Sequence, residues 1–326
     1  MRLRHITLVL LLVGITGWAA WAASGLAPAA AEVETAAEVQ ELEAPADGGH
    51  ADEHGHEALP PYAVELFKIG PFAVTNSMVV TWFVALTLIL SVRMATRRIQ
   101  EVPSGAQNFW EWLVESLHGF LEGIIGPQLV KKTFWFFATI FIFILFTNWF
   151  GLIPGVGSIG WGHPDESGAL HHLSEPLLRG ANADMNMTLA MAMVFFVCWT
   201  VWALQANGPG GFILELFGPK GDTTGLLKLL MIFVFMMVGV LEVVSILFRP
   251  VSLSFRLYGN IFAGENMLET MALISPWFGW LVAIPFYFLE ILVGLVQALV
   301  FMMLTAVFTL LICEHAEGHE PGGSHP

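Results

Sequence analysis

The chain predicts an all-α, polytopic membrane protein. About five helices cross the membrane, the last two long and strongly tilted, and one amphipathic helix lies at its surface. Three observations predict this class. Hydrophobic residues make up 56% of the 326 residues, with 26 Phe and 12 Trp against 13 Lys and Arg, and mean hydropathy is +0.70. Soluble domains lie nearer about 45–50% apolar. Several apolar runs reach the roughly 20 residues needed to cross a hydrocarbon core. The period-two alternation of an outer-membrane barrel is absent.

Residues 1–31 carry the parts of a secretory signal: Arg2 and Arg4, an apolar centre over 6–23, and the small residues Ala29, Ala30 and Ala31. This pattern fits cleavage near Ala31, with an uncleaved first helix as the alternative. Residues 32–61 read as an acidic, disordered, exported arm. Nine of the 27 acids fall between Glu32 and Glu57, so the net charge of −14 belongs largely to this arm and does not bear on nucleic acid. His50, His54 and His56 sit in the arm, where a solvated polar tail is favoured over weak metal binding, and residues 315–326 form a similar cytoplasmic tail.

The membrane domain is expected over 71–314. A first span over 75–92 is followed by Arg93, Arg97 and Arg98, which mark the cytoplasmic side. Residues 108–125 place Glu111, Glu115 and Glu122 on one face and Phe109, Trp112, Leu113, Leu117, Phe120 and Leu121 on the other. That is an amphipathic helix at the membrane surface or against a partner. Spans over 133–153 and 187–204 follow, separated by a polar outer loop over 155–184. A Gly-rich inner connection covers 207–224. The last apolar segments, 226–274 and 277–313, exceed what an upright span needs. The first would measure about 70 Å as a helix, so it must tilt, break, or bend at Pro250. Cys198 and Cys313 read as buried thiols, not a disulfide framework.

Charges inside apolar segments are expensive and default to functional sites. Here they are Glu242, Arg249, Arg256, Glu265 and Glu269, then Glu290 with the polar Gln297. At helical spacing Glu242, Arg249, Arg256 and Asn260 fall on one stripe. Glu265 lies roughly opposite Arg256 and about 13 Å along the axis, while Glu290, Gly294 and Gln297 share a face. A guanidinium keeps its charge, whereas a buried carboxylate can exchange a proton. The set therefore suits a proton or cation path with a barrier in it. A structural ion-pair network is the plainer reading. Arg249, beside Pro250, is expected to snorkel to the inner interface. No G-x-x-x-x-G-K-[ST], H-E-x-x-H or G-x-S-x-G pattern occurs, so neither a cofactor, a metal site nor covalent chemistry is expected.

Four motifs now occur in order: NWFGLIPG (148–155), ADMNMTLAMA (183–192), SLSFRLYGNIFAGE (252–265) and EILVGLVQALVFMMLT (290–305). Over about 71–314 the chain resembles subunit a of the F-type ATP synthase. The resemblance implies a proton-channel stator subunit in the bacterial inner membrane, not catalytic alone. Its N-terminus would be periplasmic and its C-terminus cytoplasmic. Its implied partners are the c-subunit ring, the b subunits of the peripheral stalk and the bilayer, with no nucleic acid. Two offset half-channels would lead to the ring carboxylate, with Arg256 as the barrier between them. Asn260, Glu265, Glu290 and Gln297 match the outer half-channel and Glu242 the inner one. Many bacterial members carry a glutamate and a histidine where this chain has Glu265 and Glu290. Two facing carboxylates would share a proton. A self-contained proton-coupled secondary transporter is the alternative, although no internal repeat supports it.

Overall fold

A computed structural model describes residues 65–69, 72–153, 155–156, 160–161, 175–176, 178–217, 226–275 and 277–317. The signal segment, the acidic arm with its histidines and the tail beyond residue 317 lie outside the described residues. Five α-helices dominate: α1 (Asn76–Ala95), α2 (Ala106–Gly151), α3 (Met185–Phe217), α4 (Leu226–Leu273) and α5 (Gly279–Glu317). All five are long and apolar enough to cross a membrane. The polytopic helical class stands.

A short hairpin, not expected from the sequence, precedes α1. Strand β1 (Glu65–Ile69) pairs antiparallel with β2 (Phe72–Thr75). Thr75 then caps α1, its Oγ1 accepting from the Met78 amide. Val80, Val84, Leu88 and Val92 recur every fourth residue and form the buried stripe of α1. Trp110 of α2 donates to Ser91 Oγ at 3.2 Å and ties the start of α2 to that helix.

Helix α2 has two legs. At Gly126 the backbone takes φ 75° and ψ 162°, immediately before Pro127. A residue before proline is driven out of the α region, and glycine enters positive φ without steric cost. The first leg is the expected amphipathic helix: Leu117 and Leu121 are buried, while Phe109, Trp112 and Phe120 remain exposed. The second leg is apolar on every side and forms the centre of the molecule, with Phe136, Phe137, Phe143 and Ile144 almost inaccessible. Its most apolar stretch is 72% buried, against 17% for the corresponding stretch of α4. So α2 is the core and α4 presents a face.

Helix α3 repeats the device, with Gly208 at φ 68° before Pro209. Helix therefore resumes as far as Phe217, where a Gly-rich connection was expected from residue 207. At each Gly-Pro one helix stops and a second restarts across a kink. Pro250 differs again, since α4 runs as one 48-residue helix through it. Cys198 and Cys313 are half-buried and form no disulfide. Between α2 and α3, Gly160–Trp161 (β3) pairs with Glu175–Pro176 (β4), and a 3-10 turn at Ala181–Ala183 leads into α3.

Candidate functional site

Two fully buried asparagines organise one end of the bundle. Asn182, on the 3-10 turn, donates to Thr147 Oγ1 at 2.8 Å and to Asn148 Oδ1 at 2.6 Å. Asn148 donates in turn to the Gly294 carbonyl of α5 at 3.0 Å. Trp149 reaches the Ile291 carbonyl at 3.1 Å, and Tyr287 donates to the Leu152 carbonyl. The end of α2 is thus fastened to α5 by three side-chain donors. The sequence motif NWFGLIPG supplies most of these groups.

Glu265 and Glu290 meet beneath this network. They line a small cavity together with Thr147, Asn148, Gly151, Leu152, Gly180 and Ile261. Glycines make room for both carboxylates. A Cβ on Gly264 would overlap the Glu290 carboxylate, and one on Gly180 would come within 2.5 Å of Glu265 Oε1. Glu290 is buried and Glu265 half-buried.

No hydrogen bond joins the two carboxylates. Glu265 Oε2 faces Arg179 Nε at 3.7 Å. Arg179 comes from the segment before the 3-10 turn, is 3% exposed, and lies with its guanidinium carbon 5.8 Å from the Phe262 ring centroid. Sequence reading missed it, because Arg179 stands in a polar loop rather than inside an apolar run. Its place four residues before the ADMNMTLAMA motif was the available signal.

Asn260 and Gln297 come together as the helical faces implied, Asn260 Nδ2 donating to Gln297 Oε1 at 2.8 Å. Gln297 is buried and Asn260 exposed. One turn earlier Arg256 is also exposed, and among the described residues it makes no ion pair or hydrogen bond. Glu242 is half-buried far along α4. Arg249 does not snorkel freely. Its guanidinium lies 4.6 Å from the Phe308 ring centroid and 5.5 Å from that of Trp199, and Trp199 Nε1 donates to the Phe308 carbonyl at 3.0 Å. An arginine between two aromatic faces is held by cation–π attraction.

Asp184, at the head of α3, is a buried carboxylate that the sequence reading passed over. Ser77 Oγ donates to it at 2.6 Å, and the Asn186 amide donates at 2.9 Å, capping the helix. Burial pushes its pKa above the ordinary carboxylate value, against the opposing pull of Ser77, Asn186 and Arg179. Among the described residues no cluster of His, Cys, Asp and Glu has the arrangement of a metal site.

These features define a polytopic helical membrane protein with ionisable groups gathered inside its apolar segments. The ATP synthase A chain family matches residues 78–309. ATP synthase subunit a of Gloeobacter violaceus is 32% identical over 255 residues, covering 78% of this chain and 89% of the relative. The corresponding protein of Moorella thermoacetica is 30% identical, covering 78% and 97%, and that of Solidesulfovibrio magneticus 30% identical, covering 78% and 92%. The chain belongs to the ATP synthase subunit a family.

Proposed function

We propose that this chain is the ion-translocating stator subunit of a rotary ATP synthase. It sits beside a ring of c subunits, is carried by the b subunits of the peripheral stalk, and provides two offset half-channels to the ring carboxylate. Asn260, Glu265, Glu290 and Gln297 belong to the outer half-channel and Glu242 to the inner one. Arg256 faces the ring, supplies the charge that keeps an arriving carboxylate ionised, and blocks direct passage between the half-channels. The chain works in a bacterial inner membrane, with a periplasmic N-terminus and a cytoplasmic C-terminus.

The observation that carries this reading is the position of Arg256. A guanidinium cannot discharge by losing its proton, and a charge at membrane depth needs a counter-charge. Arg256 lies on the exposed, apolar face of α4, between Phe255 and Asn260, and among the described residues no anion pairs with it. A carboxylate in trans satisfies that demand. A self-contained transporter would instead turn its charges toward an internal midplane site. Arg256→Ala is expected to abolish ATP-driven proton pumping in membrane vesicles carrying the whole complex while the subunit still inserts and assembles. Normal coupled pumping in that variant would falsify the role given to Arg256.

A further inference from the structure

We infer that Arg179 is the positioning residue of the outer half-channel: it holds Glu265 against the segment before α3 as its fixed counter-charge, and so leaves Glu290 as the carboxyl that exchanges protons. This rests on the outer half-channel of the proposed function.

Glu265 and Glu290 enter one cavity from neighbouring helices, so sequence alone makes them equivalent. Their surroundings are not equivalent. Glu265 has the Arg179 guanidinium at 3.7 Å, and that guanidinium is itself buried to 3% exposure and laid toward Phe262. Gly180, the next residue, brings backbone close enough to Glu265 that a Cβ would press on its carboxylate. The segment therefore meets Glu265 with both a cation and a shaped seat. Glu290 lies against Gly264, and among the described residues no cation is beside it. The other groups around the pair are Asp184, near Arg179; Glu269, one turn along α4; and Tyr287 of α5, which is occupied by the Leu152 carbonyl. Helix α2 brings only the neutral Thr147 and Asn148. Among the described residues Arg179 is the one cation near the pair. A carboxylate beside a permanent cation favours its charged form, and a carboxyl without one is freer to carry a proton.

The purified complex, treated with a carbodiimide near neutral pH, tests this division directly. Carbodiimides attack protonated carboxyl groups, and mass spectrometry of subunit peptides separates Glu265 and Glu290 from each other and from the ring carboxylate. Glu290 is expected to label more than Glu265. Arg179→Gln is expected to raise labelling at Glu265 at least about twofold relative to Glu290, as loss of a neighbouring cation favours the protonated form. Arg179→Lys, which keeps the cation, is expected to restore protection. A purely structural Arg179 would change labelling of both carboxyls together and would not distinguish Lys from Gln. Equal labelling of Glu265 in the native and Arg179→Gln complexes overturns the inference. Should Arg179→Gln fail to assemble, labelling of the native complex still decides: a protonated Glu265 beside an unreactive Glu290 refutes it. The readout needs no proton transport, so a failed Arg256→Ala experiment leaves it interpretable.

Discussion

At the scale of single residues, room for side chains matters as much as their charge. Gly264 sits where any Cβ would overlap the Glu290 carboxylate. Gly264→Ala must therefore displace a buried acid from its cavity. Proton pumping is expected to fall by at least about tenfold, the effect of a barrier raised by roughly 1.4 kcal/mol, with assembly intact. Quenching of a pH-sensitive dye in vesicles measures this, and unchanged pumping would remove Glu290 from the path. Asp184 offers a separate check. Its pKa is raised by burial, so the folded state holds its proton at pH values where the unfolded chain has released it. Its contribution to stability is thus greatest below the ordinary carboxylate value and is lost as pH rises through the raised one. Asp184→Asn keeps an acceptor for Ser77 and is expected to flatten that slope in thermal melts of the solubilised protein. Asp184→Ala strands the Ser77 hydroxyl and the Asn186 amide and is expected to cost about 1–3 kcal/mol. A steeper pH slope in Asp184→Asn would contradict the assignment.

At the scale of elements, the five spans, their order and the great length of α4 and α5 were legible from hydropathy alone. So was the Asn260–Gln297 contact, because both residues sit on polar stripes of successive apolar helices. Three features were not. The hairpin before α1 consists of short strands with no strong alternation. The Arg179–Glu265 pair joins residues far apart in sequence, one of them in a loop that looks ordinarily polar. The bends at Gly126 and Gly208 were signalled by Gly-Pro dipeptides, but a helix that restarts after the bend reads at first as a helix that ends. These bends make a quantitative prediction. Gly126 holds φ 75° with nothing within 4 Å of a built Cβ. Gly126→Ala thus meets no clash and suffers only the strain of a positive-φ, extended backbone that is nearly exclusive to glycine, about 1–3 kcal/mol. Gly119 and Gly123 lie within the first leg of α2 and also have open space around a Cβ. Alanine there is expected to stabilise by about 0.5–1 kcal/mol. Denaturant unfolding of the three variants should give opposite signs, and a shared sign would mean that the bend is not set by the backbone of Gly126.

At the scale of the whole molecule, α4 is fastened along its second half. Near its midpoint Arg249 lies between Trp199 of α3 and Phe308 of α5. Further on, Ser254 meets Thr188 at 2.9 Å, Asn260 donates to Gln297, and Arg179 pairs with Glu265. Phe255 and Arg256 lie on the exposed side of the same stretch. Such an arrangement keeps an exposed surface in register while leaving it free for a moving partner. Arg249 and Glu265 are sixteen residues apart, about 24 Å along a helix, and their partners are different residues. Effects at sites so separated add within about 0.5 kcal/mol. Arg249→Gln removes a cation–π clamp and is expected to destabilise the protein by about 1–2 kcal/mol, whereas Arg249→Lys retains part of it. In the double variant Arg249→Gln/Arg179→Gln the losses should sum. A loss well beyond the sum would mean that α4 transmits strain between Arg249 and Glu265, so that loosening one disturbs the other. Additive losses, with carbodiimide labelling of Glu265 unchanged by Arg249→Gln alone, would establish that the two points are held independently.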